Sequence, residues 1–194
     1  MSIQINSLCK NFGEKIIFNN FSISLPDTGI YILFGESGRG KTTLLRLICG
    51  LDKDYTGCIS FNEKNKISVA FQEYRLFPAL SALDNVIFAN FDRKSEAEIK
   101  LAEKSLMNLG ITKEDFTLKP NELSGGMKQR ISLARALTRN FDILLLDEPT
   151  KELDEKNASN VLNIIKEISK TKLVIIVTHN FEDALKLNAT IINI

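Results

Sequence analysis

An unbroken apolar run, Ile30-Tyr31-Ile32-Leu33-Phe34, feeds straight into Gly35-Glu36-Ser37-Gly38-Arg39-Gly40-Lys41-Thr42. Leu44, Leu45, Leu47 and Ile48 follow at helical spacing, and Gly50 supplies a stop. A short run that is apolar throughout reads as a strand buried on both faces. Strand, G-x-x-x-x-G-K-[ST] and helix together are the context in which this motif closes backbone N–H groups round a phosphate. The helix N-terminus adds the positive end of its dipole. Lys41 is placed to set its ammonium on the β- and γ-phosphates of a nucleotide, and Thr42 its hydroxyl on Mg2+. Gly35, Glu36, Ser37, Gly38, Arg39, Gly40 and Thr43 form or flank the loop; of Arg39 and Thr43, only Thr43 is in reach of a phosphate. Such a unit calls for parallel strands with helices between them.

The remaining sequence supplies both. Phe21, Ile23 and Leu25 alternate with Ser22 and Ser24, the period of a half-buried strand, before turn chemistry at Pro26-Asp27-Thr28-Gly29. Gly57 to Asn62 and Ile67 to Phe71 read as two further strands. Ser95-Glu96-Ala97-Glu98 is a capping box opening a helix that runs to Leu109, with Gly110 at its end. Another helix opens at Ser124, with Ile131, Leu133, Ala134 and Leu137 on its apolar face. Asp142–Asp147 (strand), Glu155–Lys170 (helix) and Leu173–Thr178 (strand) restore the alternation of a mostly parallel, doubly wound sheet.

Composition removes several classes. The 25 basic and 24 acidic residues nearly cancel, and no Lys/Arg block stands out, so nothing marks a nucleic-acid partner. Cys9, Cys49 and Cys58 lack C-x-x-C spacing and read as reduced thiols. No apolar run approaches the ~18 residues of a membrane span, and no basic-plus-apolar leader is visible, so a cytoplasmic chain is expected.

Two more motifs sharpen the chemistry. Ile143-Leu144-Leu145-Leu146 ends in Asp147-Glu148-Pro149. Carboxylates at the C-terminal edge of such a sheet lie where ligands bind, one suited to hydrated Mg2+ and one to an attacking water. Leu123-Ser124-Gly125-Gly126-Met127-Lys128-Gln129-Arg130 sets a hydroxyl and bare amides at a helix start, a second anion site. One nucleotide gives a single chain no reason for two. His179, the one histidine, follows Val174-Ile175-Ile176-Val177-Thr178 at a strand end. Gln72 follows Ser68-Val69-Ala70-Phe71, and alone it would be a surface glutamine.

In this order the motifs resemble the ATP-binding cassette (ABC) family of ATPases, from about Ile3 to the last residue. The resemblance implies an α/β P-loop NTPase with a mostly parallel core, an N-terminal β subdomain and an inserted helical subdomain. Residues 1–194 would be one ABC ATPase domain, with the helical part at about 78–127. It implies Asp147, Thr42 and Gln72 at Mg2+, Glu148 as general base, Gln72 and His179 at the water and γ-phosphate, and Phe12 stacked on adenine. A single phenylalanine in Lys10-Asn11-Phe12-Gly13 also serves as a core or staple residue. Ser124, Gly125 and Gly126 would close over ATP held by a second cassette, so a homodimer is expected.

After Glu148-Pro149-Thr150 the family pattern is Ser-Ala-Leu-Asp, and here it is Lys151-Glu152-Leu153-Asp154. The segment from Phe71 to Val86 is similar to bacterial nitrate/sulfonate/taurine-type importer ATPases. In them the Phe71–Leu80 region lines a groove for a separate transmembrane permease subunit; internal packing of the helical part is the other reading. The expectation is the ATP-hydrolysing subunit of a bacterial importer, peripheral on the inner face of the cell membrane. An exporter ATPase, a soluble non-transport ABC ATPase and an ATP switch are the alternatives. Repair types carry long coiled coils between the two motifs, whereas 82 positions separate Thr42 and Ser124 here, without heptads. A switch would be expected to lack Glu148 or His179.

Overall fold

Alternation of apolar and polar residues in the first third gives antiparallel pairing, not the parallel kind. The computed structural model describes residues 3–62, 64–90 and 95–194. Strand β1 (Ile3–Phe12) pairs antiparallel with β2 (Lys15–Leu25) and with β4 (Thr56–Phe61), in the order β2-β1-β4. Ile3 and Ile5 of β1 are buried in period 2, and an irregularity at Ser7 (φ 49°), with a register shift between Ile5 and Leu8, moves the phase by one so that Leu8 and Lys10 are buried next.

The second sheet has the order β5-β6-β7-β3-β8, with β3 at Gly29–Phe34, β5 at Ile67–Ala70, β6 at Ile143–Asp147, β7 at Leu173–Val177 and β8 at Thr190–Asn193. Strand β3 lies parallel to β7 and β8, and β6 parallel to β7. Strands β6 and β7 are buried along their whole length, the signature of a sheet covered on both faces. Leu33 and Asp147 both pair with Val177, so these three strands end level and their following loops leave from one edge. Helix α1 (Lys41–Ile48) leads away from β3. It closes as expected in a Schellman turn: Gly50 (φ 73°) and Leu51 donate to the carbonyls of Leu47 and Arg46 at 3.1 and 2.9 Å.

The chain divides into two compact units. One holds both sheets (residues 1–69, 141–147 and 165–194), the other residues 70–140 and 148–164. The second unit contains α2 (Ala82–Asn90), α3 (Glu96–Asn108), α4 (Gly125–Thr138) and the start of α5 (Glu155–Ser169). Residues 91–94 of the expected helical segment lie outside the described residues. The capping box at α3 forms: Ser95 N–H donates to Glu98 Oε2 at 2.9 Å, and Glu98 N–H to Ser95 Oγ at 3.3 Å. In α4, Ile131, Leu133 and Ala134 are buried as the apolar pattern requires, and Gln129, Ser132 and Ala136 join them, while Leu137 is half-buried. Arg130 ties three helices together. Its guanidinium donates to Leu109 O (3.1 Å) and Gly110 O (2.7 Å) at the end of α3, to Gly126 O (3.2 Å) in α4 and to Asn157 Oδ1 (3.3 Å) in α5. A cation on the last carbonyls of a helix satisfies groups that have no partner within it.

Asn85 is fully buried in α2 and organises the loop before it. Its Oδ1 accepts from Phe77 N–H (2.7 Å), and its Nδ2 donates to the carbonyls of Phe77, Leu80 and Ser81. That loop leaves Phe77 exposed, edge-on to exposed Phe88 with centroids 5.2 Å apart. The sequence reading did not separate α2 from its neighbours and passed over α6 (Phe181–Leu187), capped by Asn180.

Candidate nucleotide site

The loop after β3 turns into α1 at Gly40, a left-handed residue with φ 99°. A Cβ there would overlap Ile17 Cγ2 and stand 3.1 Å from Phe18 Cζ, so only glycine fits. Lys41 is buried, and its ammonium donates to the carbonyls of Gly35 and Glu36 at 2.8 Å each, which curls the loop round its Nζ. Arg39 instead faces outward with Glu36 in an exposed 3.4 Å pair, of a kind that contributes little. Ser37 and Gly38 are exposed at the loop crest, and Thr43 is half-buried.

Thr42 Oγ1 donates to Asp147 Oδ2 at 2.8 Å. Two residues 105 positions apart thus meet inside the sheet unit, with Asp147 itself 2% exposed. A hydroxyl and a carboxylate are hard oxygen donors of the kind Mg2+ takes. Among the described residues no group of three or more His, Cys, Asp or Glu could hold a metal. That donor set suits a cation that keeps its waters and draws further oxygens from phosphate.

Phe12 stands at the tip of the β1–β2 hairpin, opposite Lys15 in the register. The Lys15 ammonium reaches to 3.8 Å from where a Gly38 Cβ would stand, so the hairpin abuts the phosphate loop. Phe12 is 52% exposed and is no core residue. The Lys10 ammonium lies 4.7 Å from its ring centroid, held there by Asp52 (3.0 Å) and Asp54 (3.2 Å). Burial opposes the charge on Lys10, but the two carboxylates outweigh it and raise its pKa. Lys10 in turn holds Asp52 below the usual carboxylate range. The sequence reading missed both lysines. The available signal was the i, i+2 spacing of Lys10 and Phe12 on one strand, which puts side chains on one face.

The second unit holds Gln72, Ser124, Gly125, Gly126 and Glu148. Glu148 is buried and takes φ 51°, a left-handed backbone that costs a non-glycine residue energy and that concentrates at functional sites. Gln129, 3% exposed, braces it: Nε2 donates to Glu148 O and Pro149 O at 3.3 Å each. That role of Gln129 was not read from the sequence, although the residue stands in the quoted motif. Ser124 caps α4, its Oγ accepting from Met127 N–H at 3.3 Å. Gln72 is exposed two residues after β5. His179 is exposed two residues beyond β7, in the sheet unit.

The sequence profile of the ABC transporter family matches residues 18–151. The chain belongs to this family. It is similar to the phosphonates import ATP-binding protein PhnC of Fusobacterium nucleatum subsp. nucleatum, 35% identical across 98% of this chain and 87% of the relative. It is 36% identical to the aliphatic sulfonates import ATP-binding protein SsuB 1 of Paracoccus denitrificans, across 96% of this chain and 76% of that one. A dimeric ATP-binding cassette solved in a post-hydrolysis state with ADP and Pi superposes with a TM-score of 0.87 at 29% identity, covering 99% of this chain and 94% of that one. As an ABC ATPase, the chain binds ATP and hydrolyses it to ADP and phosphate. Its fold is the expected P-loop NTPase arrangement, a parallel core with an antiparallel sheet and helices. Among the described residues no helix is long and apolar enough to cross a membrane.

Proposed function

We propose that the chain is the ATPase subunit of a bacterial importer, acting through a separate membrane-spanning subunit and pairing with a second copy of itself. The observation that carries the ATPase part of the reading is the Thr42–Asp147 contact at 2.8 Å beside a phosphate loop curled round Lys41. Residues 1–194 act as one ATPase domain, and the segment containing α2 and α3 is its partner-facing part.

Within it Lys41 binds the β- and γ-phosphates, and backbone amides of Gly38, Gly40, Lys41 and Thr42 surround them. Phe12 offers its ring to adenine. Thr42, Asp147 and Gln72 hold Mg2+, which when bound offsets charge on the transferring phosphate. Glu148 takes the proton of the attacking water, with its carboxylate aimed by a strained backbone that Gln129 braces. His179 donates to the γ-phosphate. Ser124, Gly125 and Gly126 of one copy close over the nucleotide of the other. The dimeric state of the similar ADP-bound cassette supports this composite arrangement, and the import role of the phosphonate and sulfonate relatives supports the direction of transport.

Phe77 and Phe88 form the docking face for the membrane subunit. Asn85 holds Phe77 outward, and the pair is apolar and exposed. Replacing Leu76 and Phe77 by Asp puts charge into that contact. The double variant is expected to bind ATP normally and to lose co-purification with native membranes. A folded double variant that still co-purifies rejects the docking face.

A further inference from the structure

Glu152 replaces a small residue of the family pattern, and the structure puts its carboxylate against the start of α4. Oε2 fills the place a Cβ on Gly125 would take, and the Glu152 carbonyl oxygen stands 2.9 Å from where a Cβ on Gly126 would be. Tyr74 holds it there: the phenol is hydrogen-bonded to the Glu152 carboxylate and lies 3.6 Å from the same Gly125 position. Burial, and then Glu152, push the Tyr74 hydroxyl up to about 12, so the phenol stays a donor at neutral pH. The backbone under Tyr74 is fixed as well, because Arg135 of α4 donates to the carbonyls of Tyr74 (2.8 Å) and Arg75 (2.7 Å). The tether therefore springs from the helix whose N-terminus the carboxylate faces.

We propose that Glu152 is a tethered carboxylate that competes with the partner cassette's ATP for the N-terminus of α4 and so sets how much ATP is needed to pair two cassettes. Negative charge at a helix start is favourable, and a second negative group arriving at the same amides is opposed by the first. Glu152 thus stabilises the separate chain. For the γ-phosphate of the other copy to reach Ser124 and Gly125, the Tyr74–Glu152 hydrogen bond breaks and the carboxylate swings away. The proposal rests on the composite-site reading and adds a gate to it.

The test uses the whole chain carrying Glu148→Gln, which is expected to retain ATP with turnover slowed, and follows dimer formation by light scattering as Mg·ATP is titrated. Adding Glu152→Gln, which keeps a group able to bond Tyr74 but removes the charge, is expected to lower the ATP midpoint by roughly 3- to 10-fold. Adding Tyr74→Phe leaves the charge and frees the carboxylate, and is expected to lower the midpoint by roughly 2-fold. A cooperative thermal transition without nucleotide, its midpoint at or somewhat below the parent's, shows that both variants are folded. Both variants at the parent's midpoint overturn the gate. A shift confined to Glu152→Gln also overturns it, because that is ordinary repulsion at the seam with no tether. A Glu148→Gln parent that stays monomeric at saturating ATP overturns the composite site, and the gate with it.

Discussion

The phosphate loop in the sheet unit and the start of α4 in the helical unit are both proposed to meet phosphate, yet their polar groups are arranged in opposite ways. Around the loop the polar groups close on one another: Lys41 on two carbonyls, Thr42 on Asp147, Lys10 on Asp52 and Asp54. At α4 only Ser124 is used as the cap, and the glycines after it face a carboxylate from a neighbouring loop. The first region is a site preorganised within one chain. In the proposed reading the second is half a site, and the Glu152 carboxylate stands against it in the separate chain. A preorganised site loses little on binding, whereas a half-site responds to what is brought to it, which suits a step driven by pairing.

Glu148 gives the largest expected effect and tests whether the two regions act together. Glu148→Gln is nearly isosteric and cannot accept a proton, so kcat is expected to fall by ~10²–10⁴ with ATP binding retained. Removing a charge near the γ-phosphate also favours the closed pair. Steady-state phosphate release checks the first outcome, and light scattering with Mg·ATP against ADP checks the second. Full turnover in the variant would remove Glu148 from the chemistry.

Lys41→Ala strikes the preorganised side alone. Charge-assisted phosphate contacts are worth about 1.5–3 kcal/mol, so ATP affinity is expected to drop by roughly 10- to 100-fold. Calorimetry showing Mg·ATP bound as tightly as by the parent chain would mean that the curled loop holds nothing.

The ease with which the two regions can be read from sequence also differs. The loop, its flanking strand and helix, and the acid pair follow from local patterning, and the Schellman turn at Gly50 and the capping box at Ser95 form as the residues demand. What could not be read were long-range pairings whose residue types are unremarkable. Gln129 looks like any polar helix residue, yet its amide is buried on the Glu148 and Pro149 carbonyls. Asn85 looks like a surface asparagine and is fully buried. The Lys151-Glu152 departure was visible in sequence, but its partner Tyr74 lies far off in the chain and only the fold joins them.

Gln129→Ala sharpens the helical side. It takes the amide donor from two carbonyls in a buried setting, of which Glu148 O keeps the Lys151 N–H at 3.3 Å, at a cost of about 1–3 kcal/mol. Because one of them belongs to the strained Glu148, kcat is expected to fall by more than the ATP KM changes. A loss of thermal stability with kcat intact would show that the brace is structural only.

Lys10→Met gives the smallest effect and probes how far preorganisation extends round the loop. The Lys10 ammonium faces the Phe12 ring from 4.7 Å and fixes that ring beside the phosphate loop. Losing the cation frees the ring, so ATP affinity is expected to weaken about 2- to 5-fold, the scale of a cation–π contact. Binding of inorganic triphosphate, which has no base to stack, should be unchanged, and Lys10→Arg should restore the ATP value. The pH response follows from the two shifts. The raised Lys10 contributes stability below its unfolded pKa and loses it as pH climbs through the folded one, while the lowered Asp52 contributes above its unfolded pKa and loses it as pH falls through the folded one. The Lys10–Asp52 pair is therefore intact at neutral pH, and the gap between ATP and triphosphate affinity should stay constant there and close only toward the acid and alkaline limits. Equal weakening for ATP and triphosphate would place Lys10 in the phosphate site rather than behind the base, and would extend the preorganised region by one residue that the present geometry assigns to the ring.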